Sequence, residues 1–181
     1  MTGPRASRPQ RADRREAFAL RAQCGRDARG PKARAPNSMA DKPQITRDQY
    51  PRFTTLQLRW MDNDVYGHVN NALYYGFFDT AINQYLIAEG GLDIANSSVI
   101  AFTVESQCRY LRPISFPGAI DVGLRVGKLG NSSVRYELAI FRQDEPVAAA
   151  AGYFVHVFVE RATQRPTPMP PAIRKALEQL V

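Results

Sequence analysis

The sequence predicts an α+β domain in which one strand, one long apolar helix and four further antiparallel strands follow one another in that order. Residues 73–88 carry apolar side chains at helical spacing, and residues 97–160 break into strand-like segments separated by short turns rich in Gly, Pro and Asn. The length sets a bound as well. A chain of 181 residues with 44% hydrophobic content supports one core and leaves too little for a second domain.

Each element has its own reason. Residues 53–60 alternate over Leu56, Leu58 and Trp60, as a half-buried strand does. In 73–88, Leu73, Phe77 and Ala81 recur at four-residue spacing, and so do Tyr74, Phe78, Ile82 and Leu86. The apolar surface thus covers more than half the helix circumference, which calls for a helix wrapped by its surroundings. Asn70 or Asn71 is placed to cap its start and Gly90-Gly91 to end it. Strand segments at 97–112, 119–129, 133–143 and 146–160 are divided by Pro113 to Gly118, Gly130-Asn131 and Gln143 to Glu145, and such short turns predict an antiparallel meander. Residues 147–159 are apolar on both faces and belong in the middle of the sheet. A Pro-rich linker, Pro166 to Pro171, leads to a short amphipathic helix at 172–180.

The formal charge of +7 suggests nucleic acid until it is divided by position. Residues 1–38 hold ten of the 24 basic side chains and three of the 17 acidic ones, which leaves fourteen of each for 39–181. The domain is neutral, so a basic nucleic-acid-binding face loses its support. Residues 1–38 are rich in Arg, Ala, Gly and Pro, with Phe18 and Leu20 as their main apolar content, and read as a disordered basic tail preceding a domain at 39–181. An Arg-rich, acid-poor leader suits a mitochondrial transit peptide, but Pro and Gly interrupt any amphipathic helix there. The favoured reading starts the native protein at Met39 and places it in the cytoplasm. Cys24 and Cys108 form no disulfide framework, in keeping with a reducing compartment. The longest apolar run, 146–159, is shorter than the roughly twenty residues of a membrane span and contains His156, so no membrane association is expected.

The chemistry concentrates between the first strand and the helix, in Asp62-Asn63-Asp64-Val65-Tyr66-Gly67-His68-Val69-Asn70-Asn71. A helix start presents N–H groups without intrahelical acceptors, which suits a developing oxyanion. Gly67, Val69, Asn70 and Asn71 supply candidate amides for it. Asp64 is the candidate nucleophile or general base and His68 a group able to carry a proton. The structural alternatives are a turn or cap role for Asp62, and a junction-holding role for His68. No G-x-S-x-G, phosphate-binding glycine loop or metal-spaced His/Cys set occurs, so an α/β-hydrolase triad, a nucleotide cofactor and a metal are not expected.

These residues give the chain a resemblance. The run Asp64-x-x-Gly67-His68-Val69-Asn70-Asn71-x-x-Tyr74, the later Tyr110-Leu111-Arg112-Pro113 with Gly118, the Gly130-Asn131-Ser132-Ser133 turn and the terminal proline linker resemble the hotdog-fold acyl-CoA thioesterases of the 4-hydroxybenzoyl-CoA thioesterase-like superfamily, over nearly all of 51–180. The resemblance implies a five-stranded antiparallel sheet wrapped around the long central helix, and active sites completed by pairing of two protomers in a homodimer or homotetramer. It implies hydrolysis of an acyl-CoA thioester, with coenzyme A as part of substrate and product and the family's catalytic carboxylate carried onto Asp64. Plant acyl-carrier-protein thioesterases place Asn two residues before the histidine, where this chain has Tyr66, so a mechanism through that Asn is not expected.

Coenzyme A carries phosphates, which makes Arg109, Arg112, Lys128 and Arg135 candidates to meet them, with Ser132 and Ser133 at the hairpin. Tyr75, Asp79 and Asn83 make a polar i, i+4 stripe on the helix; Asp79 is a possible secondary carboxylate, the stripe otherwise a subunit contact. Two alternatives to hydrolysis stand beside it: a hotdog protein that binds acyl thioesters without turning them over, and a hotdog enoyl-CoA hydratase. The hydratase usually needs four residues between its Asp and His, and Asp64 and His68 have three.

Overall fold

Alternating apolar residues build a sheet with one face for a helix. In the computed structural model, residues 44–181 are described; the expectations for 1–38 lie outside them. The elements are β1 (Arg52–Gln57), α1 (Leu73–Ala88), β2 (Val99–Tyr110), β3 (Ala119–Leu129), β4 (Ser133–Arg142), β5 (Ala150–Glu160) and α2 (Pro171–Glu178). All five strands form one antiparallel sheet in the order β1-β3-β4-β5-β2.

On one face, Ile120, Val122 and Leu124 of β3, Val134, Leu138 and Ile140 of β4, and Phe154 and Phe158 of β5 form the main core with Tyr74, Phe78, Ile82 and Leu86 of α1. Phe78 is completely buried, and replacing it by Ala would cost about 3–5 kcal/mol. Gly152 of β5 allows the close approach this needs: a Cβ there would lie 2.0 Å from the Gln107 carbonyl oxygen and 3.0 Å from the Phe78 ring. The opposite sheet face carries a smaller cluster of Ala139, Phe141, Ala148 and Ala151 under Tyr50. The C-terminal helix closes the main core with Ile173, Ala176 and Leu177, tied down by Tyr85 Oη donating to the Ala176 carbonyl at 2.6 Å. Pro171 at its first position suits a site where no N–H is needed.

One expectation changes. Only β3, β4 and β5 form a meander: β2 pairs with β5, so β4 and β5 lie between β2 and the β3 that follows it. The eight-residue connector is a crossover because Pro113 and Pro117 supply no ladder N–H, while the Leu111 and Arg112 amides turn to the Ala149 carbonyl (2.8 and 2.9 Å). The segment expected centrally in the sheet is interior, β5 being paired with β4 on one side and β2 on the other. Within one chain α1 is covered on one side only, leaving Gly76, Asp79, Thr80, Gln84 and Ile87 exposed.

Candidate active site

The first strand stops at Gln57, earlier than its alternation predicts. Arg59 and Asp62 draw the chain into a 3-10 turn over Trp60–Asp62. The buried Asp62 carboxylate accepts the Arg59 backbone N–H at 2.7 Å and its guanidinium at 3.0 and 2.9 Å. Trp60 is thereby turned outward, 83% exposed. Asp62 is the turn residue its position suggested.

The loop that follows is braced against the crossover. Asp64 N–H donates to the His68 carbonyl at 2.8 Å, Gly67 N–H to the Asp64 carbonyl at 3.1 Å, and Val69 N–H to the Ile114 carbonyl at 2.8 Å. Gly67 sits at φ +81°, a left-handed conformation that costs glycine nothing. Ser115 Oγ donates to the Gly67 carbonyl (2.8 Å), and Phe116 N–H donates to Asn63 Oδ1 (3.0 Å). The unexpected β2-to-β3 crossover is therefore what holds the loop in place.

Asp64 lies in an open cleft of about 340 Å³ with His68, Val69, Asn71, Tyr74, Tyr110, Leu111, Arg112 and Pro113. Its Oδ1 accepts the Tyr66 N–H at 2.8 Å and, weakly, the His68 N–H at 3.5 Å. Among the described residues its Oδ2 accepts no hydrogen bond. One oxygen thus orients the carboxylate and the other is left for chemistry. Tyr110 Oη donates to the Asn71 carbonyl at 3.0 Å, and its ring stands edge-on to Tyr74 at 5.0 Å. Burial, with smaller effects from Cys108 and Tyr110, pushes the Tyr74 hydroxyl up to about 12; Tyr74 stays neutral.

The amides separate into used and free. Those of Gly67, Val69 and Asn70 already donate to backbone carbonyls, Asn70 to Asp62 at 2.9 Å. They are corrected out of the candidate oxyanion donors, because an N–H inside a loop hydrogen bond has no proton to offer a substrate. The Asn71 amide has no acceptor among the described residues. Capping also differs in detail. The position before Leu73 is Ala72, with no side-chain bond, while Asn70 Oδ1 accepts the Ala72 N–H at 3.0 Å.

Of the residues considered for phosphate, only Arg112 lines this cleft, 3.8 Å from Glu145. Arg109 pairs with Ala151 in register, which places it and Arg135 on the sheet face opposite α1. Lys128, Ser132 and Ser133 lie at the β3–β4 hairpin, where the Ser133 and Ser132 carbonyls accept the Gly130 and Phe158 N–H groups. On α1, Asn83 Nδ2 donates to the Asp79 carbonyl and Oδ1 at 2.9 and 3.1 Å, while Tyr75 packs against Phe154. His156 is buried, with Nε2 3.0 Å from Thr103 Oγ1 and Nδ1 without a partner. Burial holds its pKa down at about 4, against a smaller opposing pull from Asp79. No group of three or more metal-ligating side chains occurs among the described residues, and no described helix is long and apolar enough to cross a membrane.

Tyr110 and Asn63 fall in runs that the sequence marks, with no role attached to them, and Ser115 falls in a turn. Their contacts span 39, 48 and 53 residues of sequence, so the bracing itself has no local signature.

Comparison with known proteins assigns the fold to a family. Residues 58–177, from the end of the first strand into the last helix, match the thioesterase-like superfamily. The chain belongs to that superfamily. It is 55% identical to the PA5185 protein of Pseudomonas aeruginosa strain PAO1, covering 76% of this chain and 96% of that one with a TM-score of 0.75. It is 31% identical to a thioesterase from Thermus thermophilus solved with coenzyme A and Zn, over 71% of this chain and 98% of that one, TM-score 0.60. The long-chain acyl-CoA thioesterase FadM of Escherichia coli K12 is 26% identical over 71% of this chain and 98% of its own length. The five-stranded antiparallel sheet with its long helix is the hotdog architecture expected of such thioesterases, and the matched region contains both the Asp64 loop and the crossover that braces it.

Proposed function

We propose that this chain hydrolyses acyl-CoA thioesters to the free acid and coenzyme A, with Asp64 as the reacting carboxylate. The observation that carries the reading is the shared cleft of a carboxylate with one uncommitted oxygen and the region of the free Asn71 amide at the start of α1. A thiolate whose conjugate acid has a cysteine-like pKa of about 8.5 leaves with little help, so an activated oxygen and a polarised carbonyl suffice. Asp64 attacks the carbonyl carbon, the C–S bond breaks, the thiolate takes a proton, and water hydrolyses the resulting anhydride. As a general base it instead takes a proton from water and returns it to the departing sulfur. In both routes the Asn71 N–H, at the positive end of the helix, meets the oxyanion. His68 lines the same cleft and is placed to relay a proton. The relatives named as acyl-CoA thioesterase and as coenzyme A complex support this substrate class, and on this reading the protein works among CoA thioesters in the cytoplasm.

The reading includes a homodimer or a pair of dimers. β2 is an edge strand with no partner along its outer side among the described residues, and Phe102 and Val104 on it are 41% and 59% exposed. An open, apolar edge of this kind calls for a second strand. Arg112 is the cleft's own candidate for a coenzyme A phosphate; Lys128, Ser132 and Ser133 would have to serve a neighbouring protomer.

Thiol release measured over short, long and aromatic acyl-CoAs tests the proposal: saturable turnover of at least one class is expected. Tight binding of acyl-CoA with no release would leave a non-catalytic binding protein, and hydration of an enoyl-CoA without thiol release would make it a hydratase.

A further inference from the structure

The sheet face turned away from α1 carries a hollow of about 260 Å³ that plays no part in the Asp64 cleft. Its floor is small, Ala151 and Gly152, and Tyr50, Arg109, Arg125, Arg135, Glu137 and Tyr153 stand around it. Three guanidinium groups stand here, and two of them meet one carboxylate in the wall. Arg125 takes Glu137 Oε2 through Nε and Nη2 at 2.9 and 2.6 Å. Arg135 is 3.8 Å from Glu137 Oε1 and lies flat on the Tyr153 ring at 3.5 Å, while Tyr153 Oη donates to Glu105. Arg109 has no carboxylate or carbonyl partner among the described residues. Burial raises the pKa of the Tyr50 hydroxyl; Arg125 pulls it down, Glu137 pushes it up, and Arg109 pulls it down least.

We propose that this hollow is a second, anion-binding site that takes a phosphate group, held by Arg109 with Arg135 and Arg125. Like charges gathered against one acid repel one another, and a doubly charged anion relieves that repulsion while satisfying planar donors suited to oxygen pairs. Stacking of Arg135 on Tyr153 fixes the plane of its fork before anything binds. The volume falls below the usual range for a whole cofactor, so it admits a phosphate with a little of what bears it. The hollow and the Asp64 cleft share no lining residue. This inference stands on the outer face alone and does not rest on the hydrolytic reading.

Calorimetry on the full chain at constant ionic strength, titrating inorganic phosphate, 3′-phosphoadenosine 5′-diphosphate and coenzyme A against chloride, is the test. Saturable binding of phosphate is expected, weakened by about tenfold or more in Arg109→Ala and unchanged in Arg112→Ala, which alters only the Asp64 cleft. Arg109 is exposed and unpaired, so its variant should melt with the parent, which a melting curve verifies. Equal affinity for all three ligands names free phosphate as the source; a gain with the nucleotides that Arg109→Ala removes and Arg112→Ala keeps names a nucleotide. Absence of saturable binding, or a loss in Arg112→Ala as large as that in Arg109→Ala, overturns the proposal.

Discussion

Tyr110 at the end of β2 holds Asn71 at the start of α1, its hydroxyl donating to the Asn71 carbonyl at 3.0 Å across 39 residues of sequence. Through this bond the edge strand positions the residue whose own N–H has no acceptor among the described residues. Tyr110→Phe removes the bond and keeps the ring that packs on Tyr74. A neutral hydrogen bond of this kind is worth about 1 kcal/mol, so kcat should fall by roughly fivefold with KM little changed. Steady-state kinetics read the split; an unchanged kcat would remove Tyr110 from the positioning role.

Asp64→Asn keeps the size of the side chain and loses the basic oxygen. Turnover should drop by about a hundredfold or more, the scale of a positioned acid or base, while substrate affinity changes little. Asp62→Asn should act oppositely. Its carboxylate is buried and bonded to Arg59, so the variant loses about 2 kcal/mol of stability and keeps most of its activity. Melting curves and kinetics on both variants separate chemistry from scaffold. An active Asp64→Asn protein refutes the mechanism.

The buried His156 should make stability depend on pH. Its folded-state pKa, held down by burial, is about 4 against an ordinary value of 6.5. The unfolded chain therefore binds a proton between these values that the folded chain refuses, and stability falls as pH drops through that window. The loss is about 3 kcal/mol when complete; above pH 6.5 the contribution is flat. Urea unfolding from pH 7 to 4 should show this slope in the parent and a shallower one in His156→Gln.

Val104→Lys tests the edge-strand assembly. Val104 is 59% exposed within one chain, so the substitution costs a lone protomer almost nothing, while a charge on an edge strand opposes pairing. Light scattering should show a shift towards monomer at micromolar concentration, together with a loss of turnover. An unchanged mass would place the protomer contact elsewhere.

The sequence by itself determined which segments are helix and strand and which loop is the candidate site. The α1 bounds follow from four-residue spacing, β3 and β4 from alternation between glycine turns, and the Asp64-to-Asn71 loop from the residues that neither pattern can absorb. All of these are short-range properties, legible because backbone geometry repeats every two or 3.6 residues. Tertiary structure decided the rest. That β2 leaves its neighbour in sequence to pair with β5 depends on hydrogen bonds to distant strands, and local turn chemistry suggested the opposite. The same crossover occupies the Val69 amide with Ile114 and ties down the Gly67 carbonyl through Ser115, partners more than forty residues away in sequence. Arg109 and Arg112 show the limit most simply. Three positions apart in sequence, they line different cavities, because the strand ends between them and the chain turns into the crossover.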